Sequence, residues 1–333
     1  MAPLKHEQTV SVVIPAYKAA ATIGKAVQSC LDDIAVLEII VVVDGHDPAL
    51  QAAVPQGGRV RTIVNPSRLG APAARNAGLR DAVGDYVLFL DADDYVEDGS
   101  ISALAQAGAG QETDIVLGSF AFELASGRRI LVDIAKAMVC PDAIHVLKAW
   151  FAGHFVPPCS VLWRASFVRT IGGWNEEMLK NQDGELMWRA CRKNPRIVFA
   201  SAARGVYVQG RSQHRVSGNM SQAMFEQQVA LLNRIESELP RDDFLFLTPE
   251  IGAMYYHLAR LAYYHGHIGI GALAESAARR LGFAGHSGSI MHRGFATLLG
   301  LRMKERLCGR LHRVEQALGL LRPRVRLLSG IEQ

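Results

Sequence analysis

The first hundred residues alternate between two periods. Short runs rich in Val and Ile stand at Val10–Pro15, Glu38–Val43 and Val60–Val64, and a fourth apolar run at Tyr86–Leu90. Between them, Ala19–Leu31 places Ile23, Val27 and Leu31 on one helical face, with Thr22 positioned to cap it, and Ala71–Ala82 is alanine-rich. Strand–helix alternation predicts an open, mostly parallel α/β sheet, because a parallel pair needs a long crossover. Ligands of such sheets bind outside the carboxyl ends of the strands. The polar candidates fall there: Tyr17 beside Ala16 after the first run, Asp44 after the second, and Asp91–Asp94 after the fourth.

The fourth run says most about chemistry. Gly84–Asp94 is an apolar strand that ends in Asp91, Asp93 and Asp94. Unpaired charge is costly beside a core, so clustered acids at a strand end predict a site. Oxygen-only ligands suit a hard divalent cation such as Mg²⁺ or Mn²⁺, which keeps waters and completes its shell with substrate phosphates. The expectation is a metal–diphosphate site.

Past Ile101 the pattern changes. Asp114–Glu123 and Ile130–Val132 read as a hairpin around Ser126-Gly127, Pro141–Phe151 as a helix, Gly172–Asn175 as a loop and Asp183–Arg192 as a short helix. From about Ser221 on, the chain reads as helical: Met224–Leu239, Pro249–Tyr264, Ile270–Leu281 and Phe295–Leu321. Hydrophobic residues make up 49%, enough for a large core, and the net charge of +4 does not call for nucleic acid. No apolar run reaches the roughly 18 residues of a membrane span, and Met1–Thr9 has no signal-peptide apolar region. A cytoplasmic location is the expectation. The five cysteines, Cys30, Cys140, Cys159, Cys191 and Cys308, are odd in number and widely spaced. They support neither a disulfide framework nor a zinc site.

Four ordered stretches resemble a known pattern: Ser11–Tyr17, Glu38–Gly45, Arg68–Gly78 with its Arg75-Asn76-Ala77-Gly78, and Gly84–Asp94. Gly172-Gly173-Trp174 and Gln182–Leu186 follow. Together they resemble the family 2 glycosyltransferases, over about Val10 to Asn219. The resemblance implies a GT-A fold, a Rossmann-like open mixed sheet with helices on both faces, here followed by a C-terminal helical extension. It divides the chain into a nucleotide-sugar-binding part (1–115), an acceptor-binding part (116–219) and a helical region (220–333). It implies an inverting, non-processive enzyme that uses a nucleotide diphosphate sugar, most often a uridine diphosphate sugar, and a divalent cation.

Carried over by position, the resemblance assigns the nucleotide sugar to Pro15, Ala16, Tyr17, Asp44, Arg75, Asp91 and Ala92. It assigns the metal to Asp93 and His214, and the catalytic base to Asp183. Asp94, Trp174, Gln182 and Ser217 are assigned to acceptor or diphosphate contacts. The sequence departs from the family at Val43, where a first aspartate is usual, at His46, where a serine is usual, and at Asn219. Apart from the resemblance, Asp183 reads as a helix cap, Arg75 could equally be a surface arginine and Trp174 a core residue.

From Arg293 on, nine Arg or Lys face three acids, and Met303, Leu307, Leu311, Val314, Leu318 and Leu321 recur at spacings of three and four. This basic amphipathic stretch, 295–326, suits an anionic membrane surface; alternatively it packs on the catalytic domain or pairs copies of the chain. Membrane contact fits an acceptor on a polyprenyl diphosphate and a role in exopolysaccharide synthesis with UDP-glucose or UDP-galactose as donor. Two rivals are an inactive nucleotide-sugar-binding protein and a sugar-phosphate nucleotidyltransferase. The second is disfavoured because no glycine precedes Gly24 after the first strand.

Overall fold

The computed structural model describes residues 8–109, 112–209, 220–283 and 290–317. His214 and Ser217 lie outside the described residues. The chain divides into two compact units, one of residues 1–149 and 154–213, the other of residues 150–153 and 214–333.

The first unit follows the predicted alternation. It runs β1 (Val10–Ala16), α1 (Ile23–Leu31), β2 (Val36–Val43), α2 (Pro48–Ala53), β3 (Val60–Val64), α3 (Ala71–Asp81), β4 (Tyr86–Phe89) and β5 (Tyr95–Val96). There follow α4 (Ser100–Gly108), β6 (Ile115–Leu124), β7 (Arg129–Val132), α5 (Ile134–Ala137), α6 (Ala143–Phe151), β8 (Val161–Arg164), α7 (Ala165–Thr170), α8 (Gln182–Cys191) and β9 (Ile197–Gln209). The described strands form one nine-stranded sheet in the order β3-β2-β1-β4-β8-β6-β9-β5, with β7 beside β6. The strands β3, β2, β1 and β4 are parallel, β8 is antiparallel to both its neighbours, and β6 and β9 are parallel. The sheet is therefore mixed, and the two expected parts of the domain share it, since residue 115 opens β6.

Every residue of β1 and β4 is buried, as a strand covered on both faces requires. Side chains alternate between the faces. Val12, Ile14, Ile39 and Val41 pack with Ile23, Val27, Ile101 and Leu104 in one core. On α3, Gly78 stands so close to Val13 of β1 that a Cβ there would overlap the valine methyls. Alanine in a helix is normally worth about 1 kcal/mol over glycine. Here overpacking of about 1–3 kcal/mol is the larger effect. Gly78→Ala is expected to destabilise the protein, read as a lower urea midpoint with an unchanged slope.

Three strands were missed in the sequence, the two-residue β5 among them. β8 is only four residues long, and β9 carries Ser201, Arg204 and Gly205, which break a period-2 reading. Gly205 is needed there, because a Cβ would stand 2.6 Å from the Cys159 carbonyl oxygen. The pairing of β6 with β9 shifts register between Gly118 and Ser119, so no simple alternation survives along it.

The second unit is helical: α9 (Gln222–Glu238), α10 (Arg241–His265), α11 (Ile268–Arg280), α12 (Ile290–Leu299) and α13 (Leu301–Ala317). Ser221 caps α9, its Oγ accepting from the Met224 N–H at 3.3 Å. Pro249 does not start its helix as expected but lies inside α10, which opens at Arg241 with Asp242 and Asp243 in its first turn. The stretch read as one helix, Phe295–Leu321, breaks at Gly300, whose φ of +74° suits glycine. Tyr255, Tyr256 and Tyr263 are core residues, and Tyr264 is half-buried. Tyr255 donates to Asn233 at 2.7 Å and Tyr263 to Glu275 at 2.8 Å. No helix among the described residues is long and apolar enough to cross a membrane.

Candidate active site

The polar residues gather where β1 and β4 end side by side. β1 pairs with β2 on one side and with β4 on the other. The strand order therefore reverses at this point, which opens a crevice at the carboxyl ends. From β4 the chain does not turn back. It runs through Asp91–Asp94 to β5, which pairs with β9 at the far side of the sheet. The acid segment is thus laid across the strand ends.

Each acid does something different. Asp91 accepts from Arg75 Nη2 at 2.5 Å. Asp94 is 2% exposed, and its Oδ1 accepts from the Val208 N–H of β9 at 2.8 Å. Asp94, which the resemblance assigns to acceptor or diphosphate contacts, is turned inward and ties the acid segment to β9. Asp93 lies between them, partly exposed. Among the described residues these acids do not bring three ligand atoms together. The donor set fits a hard cation held by one or two carboxylates and completed by phosphate oxygens and waters. It does not fit a closed protein cage.

Arg75 organises the site. It is 5% exposed, so its charge needs partners. Nη2 donates to Asp91, Nη1 donates to Gln182 Oε1 at 3.3 Å, and the guanidinium lies 4.3 Å from the centre of the Trp174 ring. Such a stack is favourable by about 1–2 kcal/mol when desolvated. Trp174 is 3% exposed and meets Phe89 of β4 edge-on at 5.2 Å. The sequence reading allowed Trp174 to contact the acceptor. The structure makes it a core residue whose exposed face would have to be the one Arg75 covers.

The rest of the Arg75-Asn76-Ala77-Gly78 motif is structural. Asn76 accepts from the Trp174 N–H at 2.8 Å and donates from Nδ2 to the Trp174 carbonyl and to Glu176, each at 2.8 Å. It clamps the glycine loop, and a Cβ on Gly173 would stand 2.5 Å from its Oδ1. From the other side Arg189 donates to the Ile171 and Gly173 carbonyls at 2.5 and 2.7 Å. Arg189 is itself held by the buried Glu185 at 2.7 and 2.8 Å.

Asp183 stands in the first turn of α8 and is partly exposed. Asn181 precedes it with φ +57°, a left-handed turn that ends the loop and starts the helix. Burial raises the carboxyl pKa of Asp183 above the usual carboxylate value. Its own N–H, the Gly184 N–H and the Arg75 charge oppose that shift, and the Asp91 charge adds to it. Asp91, Arg75, Gln182 and Asp183 are therefore one electrostatic group. Gln182 also donates to the Met178 carbonyl at 2.9 Å, which fixes its side chain.

The remaining predicted residues lie along the first two strands. Pro15 and Ala16 are buried in β1, and Ala92 is 7% exposed with its methyl in the core. Asp44, 4% exposed, accepts from Asn65 Nδ2 at 3.1 Å and from the Leu69 and Gly70 N–H groups at 2.8 Å each. It holds the 65–70 loop, and that loop carries Arg68 to within 4.2 Å of the Tyr17 ring centre. Asp44→Asn turns one acceptor into a donor against a backbone N–H. The expected cost is about 2 kcal/mol, read from denaturant midpoints.

Three residues escaped the sequence reading. Arg68 and Asn76 stood inside a recognised motif, but only Arg75 was singled out. Lys180, partly buried just before Gln182, has its ammonium pKa lowered by burial. A lysine close ahead of an acidic helix start was the available signal. Outside the crevice, Cys140, Asp142 and His145 bring one ligand atom each within 4.8 Å of one another. The sequence offered no metal motif there, and Asp142 has an ordinary capping geometry, accepting from the His145 N–H at 3.0 Å and from its ring Nδ1 at 2.8 Å. Cys30, Cys159 and Cys191 are buried.

Residues 11–169 match the family model described as glycosyl transferase family 2. The chain is 42% identical over 91 residues to the succinoglycan biosynthesis protein ExoO of Rhizobium meliloti, covering 26% of each chain. The chain spans about half or less of the length of the curated relatives it matches. Two solved structures are similar in fold. TarS 1–349 of S. aureus in complex with UDP-GlcNAc gives a TM-score of 0.59 at 14% identity, over 82% of this chain and 90% of that one. The mannosyltransferase PcManGT of Pyrobaculum calidifontis in complex with GDP-Man and Mn²⁺ gives 0.55 at 13% identity, over 95% and 87%. The mixed sheet with its helices is the GT-A fold of these neighbours, and a helical C-terminal region follows it.

Proposed function

We propose that this chain, which carries a family 2 glycosyltransferase domain over residues 11–169, moves a hexose from a nucleotide diphosphate sugar to a hydroxyl of a glycan, with inversion. The observation that carries the reading is the single electrostatic group of Asp91, Arg75, Gln182 and Asp183 at the reversal of strand order. It supplies a cation, a partly exposed carboxylate and a raised-pKa base in one crevice.

The reaction follows from these groups. The acceptor oxygen bonds to the anomeric carbon as the bond from that carbon to the diphosphate oxygen breaks. The acceptor proton passes to the Asp183 carboxylate, and the nucleoside diphosphate leaves. One base and one displacement, with no enzyme nucleophile, give inversion. Burial raises the Asp183 pKa towards the working pH, which suits proton transfer. Arg75, pinned by Asp91 and Trp174, places fixed positive charge beside the departing anion without reorganising. A divalent cation, Mn²⁺ or Mg²⁺, would be held by Asp93, with Asp91 towards the nucleotide sugar, and would neutralise the leaving diphosphate when bound. Tyr17 with Arg68 above it, and Asp44 through the loop it holds, line the nucleotide end.

The finer reading is a UDP-glucose or UDP-galactose donor and a polyprenyl-diphosphate-linked acceptor, in exopolysaccharide synthesis at the inner face of the cytoplasmic membrane. The likeness to ExoO supports a role in polysaccharide synthesis, and the UDP-GlcNAc and GDP-Man bound in TarS and PcManGT support a nucleotide-sugar donor. The test is nucleoside diphosphate release from a panel of UDP- and GDP-sugars, with Mn²⁺, Mg²⁺ or EDTA, and membrane extract as acceptor. Metal-dependent release from one donor is expected. Donor binding without release under any condition would instead favour the inactive-binder reading.

A further inference from the structure

The helix α13, the last among the described residues, has three faces, not the two of its sequence pattern. Successive residues turn by roughly 100°, so Leu301, Glu305 and Gly309 share one face. That face packs on α10. Leu301 is 2% exposed, and Glu305 accepts from Arg260 Nε at 2.8 Å and from Lys304 Nζ at 3.1 Å. A Cβ on Gly309 would overlap the Tyr264 carbonyl.

The apolar stripe Met303, Leu307, Leu311 is a second face, and it points away from α10. Leu311 is 63% exposed and Met303 57%. The third face is Arg302, Arg306 and Arg310, with no ion pair to any of them among the described residues. Each arginine immediately precedes one exposed apolar residue. The neighbouring α12 also exposes apolar side chains, Phe295 at 51% and Leu298 at 82%.

An apolar patch of this extent on a folded unit marks an interaction site. Its chemistry selects the partner. Protein interface cores are depleted of charge, whereas here an arginine immediately precedes each of Met303, Leu307 and Leu311. Within α12 and α13, among residues whose side chains are described, the only acid is Glu305, which is buried and paired. A positive surface with apolar side chains between its cations matches a layer that is anionic outside and apolar beneath. The arginines reach the phosphates while the apolar side chains enter the acyl boundary.

We infer that α12 and α13 form an in-plane docking surface for an anionic lipid bilayer. The inference rests on the proposed reaction for its purpose, since a lipid-linked acceptor lies in that layer, but its test uses no turnover. The full chain is floated with vesicles of equal parts phosphatidylcholine and phosphatidylglycerol, and with phosphatidylcholine alone. Binding is expected with the anionic vesicles only, weakening with salt. Arg302→Gln/Arg306→Gln/Arg310→Gln is expected to lower partition roughly 100-fold. Met303→Ser/Leu307→Ser/Leu311→Ser should lower it by at least as much. Thermal melts check that both variants fold; should the serine variant fail, the glutamine variant decides alone. Equal binding to neutral vesicles, no binding, or variants that bind like the parent would overturn the inference. So would a dimer by light scattering that the serine variant converts to monomer without any lipid binding. Flotation without sugar transfer would leave the membrane surface standing and sink the reaction; transfer to a soluble acceptor without flotation would do the reverse.

Discussion

Asp183→Asn lowers kcat by about 10²–10⁴-fold, with donor binding little changed. The substitution keeps the side-chain shape and its place in the first turn of α8 but removes the proton acceptor. The pH profile carries the sharper prediction. Because burial raises the Asp183 pKa, the acidic limb of kcat/KM in the parent enzyme lies above the ordinary carboxylate range. Stability moves the other way. A carboxyl whose folded pKa exceeds its unfolded value binds protons more readily when folded. Its contribution is present at low pH and is lost as pH rises through the folded value. At neutral pH the ionised Asp183 therefore costs stability, and Asp183→Asn is expected to melt higher than the parent while being inactive. A variant that lost both activity and stability would show that Asp183 merely caps its helix. Calorimetry at two pH values, beside the activity assay, separates these outcomes.

Arg75→Ala is expected to be the most disruptive single change in the crevice. Removing one partner of a buried pair costs about 3–5 kcal/mol. Here the lower end applies, since Asp91 is 28% exposed at its side chain and water can reach it. The alanine also uncovers the face of Trp174. Arg75→Lys keeps the charge but not the planar fork, so it cannot serve Asp91 and Gln182 together while stacking on the ring. We expect Arg75→Lys to fold, with kcat/KM for the donor down by about 30–100-fold. The measurement is a donor titration together with a melt. If the lysine variant turned over at the parent rate, the guanidinium would be a structural strut and the leaving group would be met by something else.

Much of the crevice was legible because its residues are local in sequence. The strand run into Asp91–Asp94 could be read, since buried strands and clustered acids rarely meet without a purpose. The different work of those acids could not. Asp94 faces inward only because β9 lies beside the acid segment, and β9 was not recognisable from its broken period. Trp174 was open between sugar platform and core until α3 was seen to lay Arg75 across it. Gly78 and Gly173 look alike in the sequence, yet one admits β1 and the other admits Asn76.

The same division runs through the whole chain. Hydrophobic period and strand–helix alternation sufficed for the parallel half of the sheet, because each strand and its crossover are consecutive. They sufficed also for the helical character of the C-terminal region; the acids stood out by their place at a buried strand's end, and the arginine motif and the Gln182-Asp183 pair only by the family resemblance. Only the tertiary structure decided which side chains meet. The insertion of antiparallel β8, the pairing of β5 with β9 and the face that α13 turns towards α10 depend on contacts between residues far apart in sequence. A periodic pattern says which residues share a face, and only packing says what that face is against.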